Sequence, residues 1–400
     1  KIMLIGIGMG DPMNMTREAW EACLGADIRI GSERVLSSVS QLSGPSFAEY
    51  RAEEIRRYLA EHPEYEKAAV LLSGDTGFWS GARKLTEVFG DENVSVLPGI
   101  SSAAYLCAKL HESWEDAKLM SIHGRKANVP AAVRENRKVI VLTGKADTFR
   151  NLCRDLIRCG LGDVKIIAGM DLSCNTERIL TGTPESLADT EVSDLCTVMI
   201  INGDPRPPFA GGIPDELFVR GKLPMTKAEV RCISVSKLQL SRDSICYDIG
   251  CGTGSVSVEM AQRCPEGMVY AADKNHDAVL LTEKNAEKFG LLNIRTAEGR
   301  APDVLDSLPV PTHAFIGGSS GNMESIIETL LKKNRNIRIV INAIAPETVA
   351  EALRVLKHFS LPKQETICVN IARAREAGAY HLMTGMNPVY VIACGGEEES

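Results

Sequence analysis

The chain has 400 residues, 44% of them hydrophobic and 24% charged, and a formal net charge of −7. That length suggests two or three domains with ample chain for cores, and the composition is that of an ordinary globular protein. The acidic balance excludes a general nucleic-acid binder, because phosphate attraction needs a basic field, but it leaves room for a local basic pocket around a polycarboxylate ligand.

In chain order, the first apolar run, residues 2–5, reads as a strand and not as a signal peptide. The chain opens at Lys1, so an initiator methionine is expected to have been removed or left out of the numbering. The strand runs into Gly6-Ile7-Gly8-Met9-Gly10-Asp11-Pro12, and an amphipathic helical pattern follows over 17–24. Further strands are predicted at 69–72, 94–97, 138–142, 165–168 and 197–201, alternating with helical patterns. Such alternation predicts parallel sheets with crossover helices. Two of these strands also end in glycine-bearing turns, LSGDTGFWS (72–80) and VLPGISSAA (96–104). Three such turns at the carboxyl ends of strands converge on one cleft in an open α/β sheet.

Between Gly203 and Pro224 stand five prolines and four glycines, a stretch expected to hold no regular element and to link two domains, 1–202 and 225–396. Beyond it, strands are predicted at 245–248, 268–273, 294–297, 313–316, 338–342, 363–371 and 388–394, the last two as an antiparallel pair at the sheet edge. Residues 397–400 read as a disordered tail. No apolar run reaches membrane-spanning length. The twelve cysteines include no C-x-x-C pair and the seven histidines no H-x-x-x-H pair. They predict buried, reduced thiols in a cytoplasmic protein, and no metal site.

The segment DIGCGTG, Asp248 to Gly254, carries the most chemistry. A strand feeds a glycine-rich turn that opens a helix, and the next strand ends at Asp273. The glycines permit a tight turn and close approach of a ligand, and an acid at that distance is placed to accept from both ribose hydroxyls. The spacing lacks the last glycine of the dinucleotide fingerprint. With Asp248 opening it, the segment resembles the S-adenosylmethionine (SAM) signature of Rossmann-like methyltransferases.

GIGMGDP, LSGDTGFWS and LPGISSAA resemble the tetrapyrrole methylase family, and GMDLSCNTERILTGTPESL (169–187) is similar to that family's second-subdomain pattern. The resemblance implies two α/β subdomains over 1–202 with SAM folded between them, bound in part by Gly8, Gly10, Asp75, Ser101 and Ser102. The family often writes GDP where this chain has Gly74-Asp75-Thr76, so a looser turn is expected there. PMTKAEVR (224–231), IGGSSG (316–321) and NAIAPET (342–348) resemble the precorrin methylases that act at carbon 15 and decarboxylate the neighbouring acetate. One departure is His313, where relatives often carry an acid.

The two resemblances together imply a bifunctional SAM-dependent enzyme of cobalamin biosynthesis acting on a tetrapyrrole. The first half would methylate carbon 5, and the second carbon 15 with loss of carbon dioxide. In the second half Asp248, Gly250, Gly252 and Gly254 would form the adenosine turn, Asp273 would hold the ribose, and Glu298 and Gly299 would flank the adenine. Thr226 would touch the cofactor. Lys227, Gly317, Gly318 and Ser319 would meet the substrate. No catalytic residue is singled out, because displacement at a sulfonium methyl needs alignment and exclusion of water more than acid, base or metal. A homo-oligomer is expected from the family. A SAM-responsive binding protein with one degenerate half, or a methylase of another small molecule, stays open as an alternative.

Overall fold

The computed structural model of this chain describes residues 1–124, 127–206 and 210–396. The tail expected over 397–400, and residues 207–209 of the expected linker, lie outside the described residues. The chain divides into two compact units, Lys1–Arg154 with Gly162–Pro205, and Arg206–Ser400 with the short segment Asp155–Leu161. Among the described residues no helix is long and apolar enough to cross a membrane.

The first unit begins with β1 (Ile2–Gly6), β2 (Ile28–Gly31), β3 (Ser46–Ala48), β4 (Ala68–Leu72) and β5 (Val94–Leu97). They form a sheet in the order β3-β2-β4-β1-β5, parallel throughout. Successive residues of β1 and β4 feed two different cores. Met3, Ile5, Ala69 and Leu71 pack with Cys23 and Val35, while Leu4 and Val70 pack with Ile55 and Leu85. That is the period of two expected of strands covered by helices on both faces.

A second sheet in this unit holds β6 (Lys118–Ser121), β7 (Lys138–Leu142), β8 (Lys165–Met170), β9 (Arg178–Gly182) and β10 (Cys196–Ile201), in the order β6-β7-β10-β8-β9. Only β6 and β7 run parallel; the other neighbours are antiparallel, which corrects the expectation of parallel sheets throughout. The physical reason is the short connection from Met170 to Arg178, which cannot hold a crossover helix and so reverses the chain.

The second unit is built on β11 (Ile245–Ile249), β12 (Met268–Asp273), β13 (Ile294–Glu298), β14 (His313–Ile316), β15 (Arg338–Ala343), β16 (Glu365–Val369), β17 (Ala372–Ala377), β18 (Tyr380–Gly385) and β19 (Val389–Gly395). Seven of these make one sheet, β13-β12-β11-β14-β15-β19-β16, parallel up to β15 and antiparallel on both sides of β19. The expected pairing of the last two main strands is found, but β19 lies inside the sheet and only β16 is at the edge. A separate two-stranded hairpin, β17–β18, stands between them in sequence. The strand order reverses between β11 and β14, the point at which open α/β sheets leave a crevice above their carboxyl ends.

The stretch expected to be structureless is not so throughout. Asp215–Leu217 forms a 3-10 turn, and Ile213 and Phe218 are buried in the second unit's core. Asn285 accepts from the Val219 N–H at 2.7 Å and donates to its carbonyl at 3.1 Å. Apolar side chains inside a proline- and glycine-rich run draw it onto the sheet that follows.

Candidate functional site

The carboxyl ends of β11, β12, β14 and β15 frame a cleft of about 960 Å³. Its floor is the turn after β11. Gly250 and Gly252 have φ of 76° and 57°, a backbone region that L side chains avoid. Gly250 also lies against the next loop, since a Cβ there would stand 2.8 Å from the Gly318 amide nitrogen. Gly318 is different: a Cβ on it would meet nothing within 4 Å, and Gly318 lines the cleft. The two loops are therefore locked together on one side and open on the other.

Asp273, at the end of β12, ties the floor to the wall. Its Oδ2 accepts from the Gly252 N–H at 3.1 Å and its Oδ1 from the Asn275 N–H at 2.9 Å. Each carboxylate oxygen keeps a further lone pair, and the residue lines the cleft. A diol ligand fits such an acceptor pair. The open face at Gly318 and this carboxylate together suit a nucleoside-bearing cofactor held across the turn.

Of the residues expected in this half, Thr226, Lys227, Gly250, Gly252, Asp273, Gly299, Gly317, Gly318 and Ser319 line the cleft. Three do not. Asp248 is fully buried beneath the turn, where the Ser257 hydroxyl donates to its Oδ2 and its Oδ1 has no partner. Burial pushes its carboxyl up to about 7. Gly254 opens the helix Ser255–Arg263, and a Cβ there would stand 2.7 Å from Thr282. Glu298 is exposed and pairs with His276 Nδ1 at 2.7 Å. His313 is at the amino end of β14, away from the cleft, in a smaller cavity of about 490 Å³. Burial and the neighbouring Arg338 push its imidazole down to about 4.

Residues that the sequence reading left without a role also line the cleft, among them Asn275, Arg300, Asn342 and Thr348. The signal for Asn342 and Thr348 was present, since NAIAPET spans the carboxyl end of a strand of the same sheet and the turn after it. Arg300 reaches across to the Ser320 carbonyl at 3.3 Å and to Asn322 Oδ1 at 3.4 Å.

One cleft wall, Pro224 to Lys227, is anchored from below by Arg231. Its guanidinium is fully buried. It donates to the Thr226 carbonyl at 2.5 Å, to Glu259 Oε1 at 2.5 Å, to Asp215 Oδ1 at 3.3 Å and to the Ile213 carbonyl. Glu259 in turn accepts from the Gly212 and Ile213 N–H groups. A buried guanidinium is tolerable only when paired and hydrogen-bonded in this way.

In the first unit the three expected glycine turns do meet. Gly8 and Gly74 exchange backbone hydrogen bonds of 3.1 and 2.6 Å. A Cβ on Gly99 would stand 2.3 Å from the Gly74 carbonyl oxygen and 2.6 Å from Gly6. Asp75 is spent on the same junction: its Oδ1 accepts from the Gly77 N–H at 2.9 Å and its Oδ2 from the Gly99 N–H at 3.0 Å. The turn expected to be loose without its proline is thus pinned at both carboxylate oxygens. Ser101 caps the helix Ser102–Leu110 by accepting from the Ala104 N–H at 3.1 Å, and Ser102 accepts from the Thr197 hydroxyl at 2.9 Å. Gly10 faces the second sheet's connection, with a Cβ there 3.3 Å from Cys174 Sγ, and Ser173 Oγ accepts from Asn14 at 2.8 Å.

Among the described residues no group of three or more His, Cys, Asp or Glu side chains is arranged to hold a metal ion.

Two family models match the chain. One, of tetrapyrrole (corrin/porphyrin) methylases, matches residues 1–188, and the other, a precorrin methyltransferase domain, matches residues 216–394. A probable cobalt-precorrin-6B C(15)-methyltransferase (decarboxylating) from Pyrobaculum calidifontis is 42% identical over 184 residues, 45% of this chain and 94% of the relative. Its counterpart from Methanocaldococcus jannaschii is 40% identical over 183 residues, 45% of this chain and 96% of the relative. A solved structure of a precorrin-6Y C5,15-methyltransferase from Geobacter metallireducens is 36% identical, covering 46% of this chain and 97% of that one with a TM-score of 0.44. The chain belongs to the precorrin methyltransferase family.

Proposed function

We propose that this precorrin methyltransferase is a bifunctional SAM-dependent enzyme of cobalamin biosynthesis that methylates carbons 5 and 15 of a precorrin-6B-type tetrapyrrole and removes the ring C acetate carboxyl. The observation that carries the reading for carbon 15 is the cleft itself, whose acid, glycine turn and open glycine loop lie at the switch point of the second unit's sheet. The matches of two methylase classes, at 1–188 and 216–394, support one reaction for each half. We assign the first to residues 1–202 and the second to 225–396, with the anchoring segment from Gly212 acting as part of the second.

SAM would be held by Asp273 and by the backbone of Gly250 to Gly252, and it supplies an electrophilic methyl on a sulfonium. The chain's own residues orient the partner, exclude water and place charge. Gly317 to Ser319, without bulky side chains, let a broad macrocycle approach the floor. Lys227 offers a cation to a substrate carboxylate. In the first unit Gly8, Gly10, Ser101 and Ser102 would border the cofactor, with Asp75 holding two of the loops rather than the ligand.

The reading includes a homo-oligomer. The hairpin β17–β18 supports it, leaving Tyr380, Leu382 and Met383 at 76%, 54% and 66% exposure. It also includes a cytoplasmic site of action, in keeping with twelve free cysteines. Mass spectrometry of a precorrin-6B-type substrate incubated with SAM and the protein tests the function. Gain of two methyls with loss of carbon dioxide is expected; a product with neither change would refute it.

A further inference from the structure

The acid Asp215 sits in the segment between the halves, yet it is buried and faces three cations. Arg231 Nη1 is 3.3 Å from its Oδ1, and Arg373 Nη2 and Lys227 Nζ are 3.7 and 3.8 Å from its Oδ2. Two of those cations have closer partners of their own, Arg231 with Glu259 at 2.5 Å and Arg373 with Glu229 at 2.7 Å. The cluster therefore balances, with Arg231, Lys227 and Arg373 against Asp215, Glu259 and Glu229. Lys227 is the member that lines the cleft, and its side chain is 30% exposed.

Asp215 Oδ2 is buried and accepts no hydrogen bond. A distance of 3.8 Å lies beyond hydrogen-bond range, so Lys227 is held by attraction across a gap. Its ammonium keeps its three N–H groups for an incoming acceptor. A lone lysine on a cleft rim would wander among rotamers, and a direct ion pair would have to be broken before a ligand could be bound. The observed spacing avoids both.

We propose that Asp215 is a positioning residue that holds Lys227 at the cleft wall as the recognition point for one side-chain carboxylate of the substrate. This rests on the reading above that the cleft takes a polycarboxylate macrocycle. An ammonium that gripped the departing acetate would hold back the charge that must leave it, so the carboxylate it would serve is one that the macrocycle keeps through the reaction.

The test uses the full chain and the kinetics of carbon dioxide release, which report the second unit's reaction alone. Asp215→Asn and Lys227→Gln should each raise KM for the tetrapyrrole about 10- to 150-fold, the range for a lost charged hydrogen bond. Effects on kcat should be smaller, and S-adenosylhomocysteine affinity by calorimetry should stay within about twofold. Lys227→Arg should recover most of the KM, and the double variant should be no worse than the weaker single variant. Effects that multiply in the double variant would overturn the proposal. So would a parallel loss of S-adenosylhomocysteine binding, which would mark Asp215 as merely structural. If Asp215→Asn does not fold, Lys227→Gln decides alone, and an unmoved KM overturns the proposal. Absence of carbon dioxide release by the wild-type chain would instead sink the functional reading, and the inference with it.

Discussion

The glycine-rich turns of the two halves look alike in sequence and do different physical work. In the first unit Gly6, Gly74 and Gly99 are pressed backbone to backbone, and Asp75 spends both oxygens on amide groups of that junction. In the second unit Gly250 is pressed against the neighbouring loop, but Gly318 beside it faces open space, and Asp273 lines a cleft while holding two amides. Glycine turns at strand ends thus give close packing in one half, and close packing together with an open cleft face in the other. The pattern alone does not say which.

The comparison is broken most forcefully at Gly99. Alanine there would put a methyl 2.3 Å from a backbone oxygen that has no rotamer to move. Gly99→Ala should destabilise the first unit by about 3 kcal/mol or more, at the upper end of overpacking costs. Gly318→Ala should leave stability within about 0.5 kcal/mol. Denaturant unfolding of the two variants measures both, and equal effects would erase the distinction drawn here.

Next in size is the chemical counterpart. Gly318→Val fills the open face without backbone strain, whereas Gly252→Val would add strain, because φ at Gly252 is 57°. Gly318→Val should fold normally, add the carbon 5 methyl and retain the acetate. Full decarboxylation by this variant would remove the cleft from the carbon 15 reaction.

Asp273→Ala comes third. Loss of a charged acceptor costs roughly 1.5–3 kcal/mol, so affinity for S-adenosylhomocysteine at the second site should fall about 10- to 150-fold. Calorimetry on the full chain should then show one of two binding events weakened and the other unchanged. A uniform loss at both sites would contradict separate cofactor sites.

The β-strands that carry the second site were legible because each is an apolar run ending in a distinctive turn, and 268–273 and 313–316 match the structure at both ends. β2 was missed because Arg29 interrupts an otherwise apolar IRIG. In the fold that arginine is buried, donating to the Cys23 and Ser43 carbonyls. β9, much of it exposed, lacks the apolar period that sequence reading depends on. The placement of Gly250, Gly252 and Asp273 on one cleft was readable from spacing, whereas the burial of Asp215 beside it was not. Its setting among prolines and glycines reads as a loop, and its three cations come from residues 12, 16 and 158 positions later in the chain. Long-range charge clusters leave no local pattern.

A last comparison separates Asp248 from the acids that line the cleft. Its carboxyl is raised to about 7 by burial, so the folded chain favours the protonated form more than the unfolded chain does. Its contribution to stability is then full below about pH 4, the unfolded value, and is lost as pH rises through about 7. His313 works the other way. Its imidazole is lowered to about 4, so its contribution is lost as pH falls from its ordinary value of 6.5 through that point. The two slopes oppose one another in the wild-type chain, and the difference between wild type and Asp248→Asn isolates the first. Relative to wild type, Asp248→Asn should gain stability between about pH 4 and pH 7 and level off above that, as followed by the thermal unfolding of the second unit. A difference that does not change with pH would mean that Asp248 stays ionised beneath the turn, its charge met by a partner other than Ser257.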